Sequence, residues 1–139
     1  MREELERLAT SLLEAFNNND TQTVADLVTQ DIMYEGLATR PDATGLEGFL
    51  GAVQEIGPEV LGTVSRWIID VDSSTIVGEI TWSHAVISDS PKVPGILFIT
   101  VEDNYITQIR EQHFAPRRAL RDCPIYRPRS PEVDSAPAS

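Results

Sequence analysis

The sequence has 139 residues, 41% of them hydrophobic, enough for one domain to bury a core without a metal or cross-links. Its one cysteine, Cys123, excludes a disulfide within these residues and a multi-cysteine zinc site, and a reducing, cytoplasmic setting is expected. The formal net charge of −11 argues against nucleic acid or an anionic membrane as partner, because both repel an acidic surface.

The first eighteen residues stay charged from Met1-Arg2-Glu3-Glu4 onward, which fits neither a signal peptide nor a membrane span. Leu5, Leu8, Leu12 and Phe16 recur at three- and four-residue spacing and predict a helix from about Arg2 to Asn17, ended by Asn17-Asn18-Asn19-Asp20. Asp20 is placed to cap a second, short helix with Val24, Leu27 and Val28 on one face, closed by Asp31. Ile32-Met33-Tyr34-Glu35 reads as a short strand, with Met33 and Phe49 assigned to the core, and a loop from Gly36 to Ala43 follows.

Thr44 and Glu47 have the spacing of a capping box, and Leu46, Phe49, Leu50, Val53 and Ile56 form the stripe of a helix that Gly57-Pro58 ends. From Glu59 the apolar period changes to two. Strands are predicted at Val60–Val71, Thr75–Ser88, Gly95–Glu102 and Tyr105–Phe114, joined at Asp72-Ser73-Ser74, Asp89–Pro94 and Asp103-Asn104. Helices first and an antiparallel meander afterwards indicate an α+β domain over residues 1–114, its helices packed on one face of a curved sheet.

Up to Phe114 the chain has 6 basic and 19 acidic residues, whereas Ala115–Ser139 has 5 arginines and 3 acids. Five prolines exclude a long helix from this 115–139 tail, which is expected to be partly disordered. It either solubilises the protein or brings Arg117, Arg118 and Arg121 back over the acidic body and its pocket.

Strand alternation puts Ile76, Gly78, Ile80, Trp82, His84 and Val86 on one face, taken as interior, and Val77, Glu79, Thr81, Ser83 and Ala85 on the other. On the last strand Thr107, Ile109, Glu111 and His113 share a face, opposite Ile106, Gln108, Arg110, Gln112 and Phe114. If that face is interior, Glu111 lies among apolar residues and must be protonated or partnered. His84 is then a candidate partner, and a carboxylate holding an imidazole is a general acid–base pair that works near neutral pH. The alternatives are a core histidine at 84, and a Glu111 that faces solvent or pairs with Arg110 or Arg66. Tyr34 is either half-buried packing or a phenolic donor to the same cavity. Trp82 is either core or a wall for an apolar ligand. The sequence lacks a Gly-rich phosphate loop, a His-x-x-x-His pair and a Gly-x-Ser-x-Gly elbow, so neither a cofactor nor a metal is expected.

The segments Asp31-Ile-Met-Tyr-Glu-Gly36, Thr44-Gly-Leu-Glu-Gly-Phe49 and Ile106-Thr-Gln-Ile-Arg-Glu111, in this element order, resemble the SnoaL-like proteins. Their nuclear-transport-factor-2-like superfamily includes ketosteroid isomerase, scytalone dehydratase and limonene-1,2-epoxide hydrolase. The resemblance spans roughly Glu4–Phe114 and implies a cone-shaped α+β fold, often a homodimer through the outer sheet face. By resemblance Tyr34 matches the epoxide hydrolases' water-binding tyrosine, and Glu111 stands where they carry an aspartate after an arginine. Trp82 and His84 occupy the places of their catalytic Arg and Asp, Gly36 replaces the Asn beside the tyrosine, and Gly36 also falls at the isomerase's aspartate base. His84, His113 and Tyr34 resemble in kind the histidine and tyrosine set of the dehydratases.

What the resemblance and the residues together imply is cofactor-independent acid–base chemistry, a cyclase, isomerase or dehydratase of natural-product biosynthesis acting on a small apolar oxygenated molecule. His84 and Glu111 would carry it, Tyr34 or His113 would supply the acid, and Trp82, Phe49, Ile80 and Ile109 would line the pocket. A non-catalytic ligand-binding or dimerisation module and an epoxide hydrolase with an altered triad are the alternatives, since such a fold hosts many functions.

Overall fold

The computed structural model describes residues 1–36, 42–56, 60–84 and 92–113, the side chains of Glu55, Ile56, His84 and His113 excepted. Helix α1 spans Arg2–Asn17, as its periodicity predicts, and buries Leu5, Ala9, Leu12, Leu13, Ala15 and Phe16 along one stripe. It ends where Asn19 takes φ +53, and the Asp20 amide reaches back to the Ala15 carbonyl at 2.8 Å. Asp20 then caps α2 (Thr21–Leu27), its carboxylate accepting from the Thr23 amide at 3.2 Å and the Thr23 hydroxyl at 2.6 Å.

Three local expectations change here. Helix α2 stops at Leu27, so Val28 opens strand β1 (Val28–Glu35) and Asp31 lies within that strand instead of closing the helical unit. Alternation along β1 buries Ile32 and Tyr34 and turns Met33 outward, 50% exposed, so Met33 is not core. Thr44 is drawn into the two-residue strand β2 (Ala43–Thr44) opposite Met33, and Gly45, at φ +89, takes the place before α3 (Leu46–Ile56). The Gly45 carbonyl accepts the first helical bond, from the Phe49 amide at 3.0 Å. The Gly57-Pro58 stop falls outside the described residues, whereas Phe49, Ala52 and Val53 are buried as the stripe requires.

The remaining strands are β3 (Val60–Asp70), β4 (Thr75–His84), β5 (Val93–Glu102) and β6 (Tyr105–His113). Their antiparallel meander is the predicted one, with Val71–Ser74 and the positive-φ pair Asp103-Asn104 as its tight turns. The end of the predicted strand at Ser88 and residues 89–91 of the predicted Asp89–Pro94 loop lie outside the described residues, while Val93 and Pro94 already belong to β5, which starts before the predicted Gly95. Strand β1 adds beside β6 in parallel, so the six-stranded sheet, in order β2-β1-β6-β5-β4-β3, is mixed and not wholly antiparallel. The crossover from β1 to β6 runs through the whole intervening domain, a pairing that no local pattern reveals.

Helices follow one another, then a curved, unclosed sheet receives them on one face: α1 packs on β3 and β4, and α3 on β1. The core lies between these layers. Along β4 the predicted inner set holds, with Ile76, Ile80 and Trp82 buried. Strand β6 departs from simple alternation near its start. A register shift opposite Thr100/Val101 turns Ile106 inward, while the Thr107 hydroxyl bonds the Thr100 carbonyl at 3.3 Å. Among the described residues no helix is long and apolar enough to cross a membrane.

Candidate functional site

The sheet has two unlike ends. At one, short turns join β3 to β4 and β5 to β6. At the other, β1, β4 and β6 finish and β3 and β5 begin, as the pairs Val60↔His84, Trp82↔Val93 and Gly95↔His113 show. The connections 37–41, 57–59 and 85–91 and the chain after 113 all depart from this second end. We call it the mouth.

Near the mouth the inner face carries polar groups that the rest of the core lacks. Glu111 on β6 is 1% exposed, the one charged or polar side chain counted as buried among the described residues. It stands opposite Leu97, which in turn pairs with Gly78. Arg110 bonds Glu35 at 3.5 Å and Arg66 bonds Glu79 at 2.6 Å, both on the outer face, so Glu111 faces neither solvent nor these arginines. A carboxylate in such surroundings is costly as an isolated charge.

Tyr34 is also 1% exposed and pairs with Ile109 across the parallel β1–β6 ladder. Glu111 is two residues beyond Ile109, which makes it the diagonal neighbour of Tyr34 on the inner face, within reach of long side chains. Behind Tyr34 an aromatic line leads to the helices: its ring centroid is 5.0 Å from that of Phe49, and Phe49 meets Phe16 edge-on at 6.0 Å. Half-buried packing is therefore not the environment of Tyr34. Ile80, Ile109 and Phe49, expected to line the pocket, are all buried on the same side of the sheet.

Trp82, buried to 1%, lies flat across its neighbours because both lack side chains. A β-carbon at Gly62 on β3 would come within 2.5 Å of Trp82 Cζ3, and one at Gly95 on β5 would come within 3.5 Å of its Nε1. The indole thus runs from β3 over its own strand to β5, and its nitrogen is delivered to the level of Gly95 and His113. Trp67 uses Gly78 in the same way, since a β-carbon there would meet its Cζ3.

The backbone register separates two residues that the sequence pairs. Glu111 is level with Leu97 and Gly78, whereas His84 is six positions further along β4, roughly 20 Å toward the mouth, and two strands across. His113 is two positions from Glu111 on the same strand. The register therefore brings together Tyr34, Glu111, His113 and the Trp82 nitrogen, and leaves His84 at the rim. The glycines under the indole were the signal for Trp82's placement, visible in sequence only once the pairing of β3, β4 and β5 is known.

Elsewhere an open cleft of about 350 Å³ lies between α1 and the β5–β6 turn, lined in part by Leu5, Leu8, Leu27 and Val101 with Arg7 and Asn104. It contains none of the residues singled out above. Among the described residues no group of three or more His, Cys, Asp and Glu is gathered as a metal site would require.

No family model matches the chain, and no curated protein matches it significantly. Solved structures do. A Kribbella flavida protein provisionally named a ketosteroid isomerase superposes with a TM-score of 0.69 at 20% identity, covering 95% of this chain and 87% of that one. An LEH-like epoxide hydrolase from M. tuberculosis gives 0.67 at 19% identity, with 81% and 79% covered. A Sinorhizobium meliloti protein provisionally named a polyketide cyclase gives 0.64 at 13% identity, with 76% and 94% covered. At these identities the likeness establishes architecture alone: the chain has the α+β fold of these nuclear-transport-factor-2-like structures.

Proposed function

We propose that the protein is a cofactor-independent acid–base enzyme, a cyclase, isomerase or dehydratase, acting on a small, uncharged, mostly apolar oxygenated metabolite of the polyketide or terpenoid kind. The observation that carries this reading is the burial of Glu111 on an otherwise apolar face. A carboxyl held out of bulk water next to a bound substrate is a group that can take and return a proton during the reaction. Glu111 is the proton-transfer group in this reading. Tyr34, its diagonal neighbour, donates to the oxygen on which charge develops, and His113, two positions away, exchanges the proton with solvent. Phe49, Ile80, Ile109 and Trp82 form the walls.

An uncharged substrate follows from where the cations are. Arg66 and Arg110 are exposed on the opposite face with acidic partners, and a net charge of −11 repels carboxylates and phosphates. The isomerase and cyclase names of the similar structures agree with this class of chemistry, and the epoxide-hydrolase name favours it less, because Trp82 and His84 replace an arginine and an aspartate.

The test is a comparison of Glu111→Gln with the parent chain on a panel of small ketones, enones and epoxides. Losing the acid–base group should lower turnover by about 10²-fold or more while leaving ligand binding within a few fold. Turnover that survives Glu111→Gln would remove the carboxyl from the chemistry. Binding without turnover in the parent chain would favour a non-catalytic ligand-binding module instead.

The outer sheet face also supports a homodimer. Phe98, Val77 and Ile96 are only half-buried there, and Ile68 is 47% exposed beside them. Sedimentation of the parent chain and of Val77→Glu tests this: a dimer that the substitution converts to monomer supports the face, and a monomeric parent chain excludes it.

A further inference from the structure

The cleft at the turn end of the sheet, far from the mouth, has the features of a docking surface. Helix α1 lies along β3: toward the mouth Asn17 donates to the Gly62 carbonyl at 2.9 Å, and at the other end Arg2 donates to the Ile69 carbonyl at 3.4 Å. The first turns of α1 therefore stand at the turn end, where a gap of about 350 Å³ is open between α1, the end of α2 and the β5–β6 turn. Its apolar floor is Leu5, Leu8, Leu27 and Val101, of which Leu8 and Leu27 are only partly buried. Its rim is acidic. Glu4 lines it, Asp26 is the exposed neighbour of Leu27, and Glu102 and Asp103 are exposed between Val101 and Asn104, against Arg7 as the one base among the described lining residues. An apolar floor ringed by carboxylates suits a chain segment in which apolar and cationic side chains lie close together.

We propose that this cleft is the docking surface for the chain's own C-terminal segment: Ile125 and Tyr126 enter the apolar floor, and Arg127 and Arg129 face the carboxylates of the rim. Charge and length both favour this occupant. Residues 114–139 lie outside the described residues, and between Arg117 and Arg129 their sequence has five arginines and one acid, Asp122, whereas the chain up to Phe114 has 19 acids and 6 bases. Strand β6 ends with His113 at the mouth and begins with Tyr105, next to the cleft. Returning along that strand takes roughly 26 Å, and passing over one helix adds roughly 10 Å. An extended chain covers this distance in about eleven residues, which brings Pro124, Ile125 and Tyr126 to the cleft and leaves Arg117, Arg118 and Arg121 short of it. Docked there, the segment covers leucines that α1 and α2 leave partly exposed and neutralises the carboxylates around them.

The full chain tests this without substitution, because Cys123, two residues before Ile125, is its sole cysteine. A nitroxide attached to that thiol should remove most of the amide NMR intensity of Leu5, Leu8, Leu27, Val101 and Asn104, relative to the reduced label, and spare Trp82 and Gly95 near the mouth. In 1 M salt, where the screening length falls to about 3 Å, the loss should shrink. Arg127→Glu with Arg129→Glu should abolish it, and adding Glu4→Arg with Glu102→Arg should restore it, a rescue that local damage by either pair would not give. Ile125→Ser with Tyr126→Ser should release the segment at unchanged charge. Intensity lost around Trp82 and Gly95 would put the segment over the mouth and overturn the proposal. Loss that is absent, or spread evenly over the surface, would overturn it as well and leave the cleft to another occupant. In a mixed sample, with the nitroxide on one set of chains and the isotope on the other, the signals should stay intact; loss there would seat the segment on a second copy and overturn docking within one chain.

Discussion

Adjacent residues of strand β6 meet opposite conditions. Arg110 points outward, 44% exposed at its side chain, bonded to Glu35 and stacked 5.4 Å over the Phe98 ring, while Glu111 points inward and is 1% exposed. On the outer face charges come in exposed pairs such as Arg66–Glu79, which contribute little and weaken with salt. Among the described residues of the inner face, the Glu111 carboxyl is held out of water, where a charge is costly unless partnered. The contrast teaches that the residue type says little until its face is known.

Replacing the inner aromatic should cut deepest. Phe49→Ala removes the ring between Phe16 and Tyr34, and denaturant unfolding should show a loss of about 3–5 kcal/mol. Asn17→Ala opens the edge of β3 at Gly62, leaves two backbone groups without their side-chain partner, and should cost about 1–3 kcal/mol. Glu111→Gln sharpens the contrast most directly: thermal unfolding should change little, while turnover falls as for loss of an acid–base group. A large destabilisation there would mean that the carboxyl is a structural keystone and not a functional group.

On the outer face Arg66→Ala should change stability by less than about 1 kcal/mol, and that small difference should vanish in 1 M salt. Asp20 gives the mildest effect and a defined sign. The Thr23 hydroxyl and amide hold its carboxyl below the ordinary value of 3.8, so the cap stabilises above that pH and is lost as pH falls through the lower folded-state value. Asp20→Asn, whose cap does not titrate, should flatten that part of the acid-unfolding curve.

The meander and α1 were legible because each is written in a local period: leucines at three and four for α1, and alternation for β3 to β6. The Asp20 cap and the Asp103-Asn104 hairpin were legible for the same reason, each depending on a few consecutive residues. Met33, Thr44 and Ile106 were misjudged, and in each the competing influence was tertiary. Pairing with β2 took Thr44 out of the helix cap, the β1 ladder chose which side of Met33 faces the core, and a register shift reversed Ile106. Identifying Glu111 as an inner-face candidate needed only alternation on β6. The height of His84 relative to Glu111 was not legible, because alternation gives the face of a residue and not its height along a neighbouring strand.

The sequence by itself determined the order and type of the main elements, the face of most residues on β3 to β6, and the net charge of −11. These follow from interactions among residues close in the chain, or from a sum over all of them. The tertiary structure alone decided that β1 joins β6 in parallel, that Tyr34 and Glu111 become diagonal neighbours, and that Trp82 reaches from Gly62 to Gly95. Those facts depend on register between segments that meet only after folding, where one position along a strand is about 3.3 Å and decides whether two side chains touch.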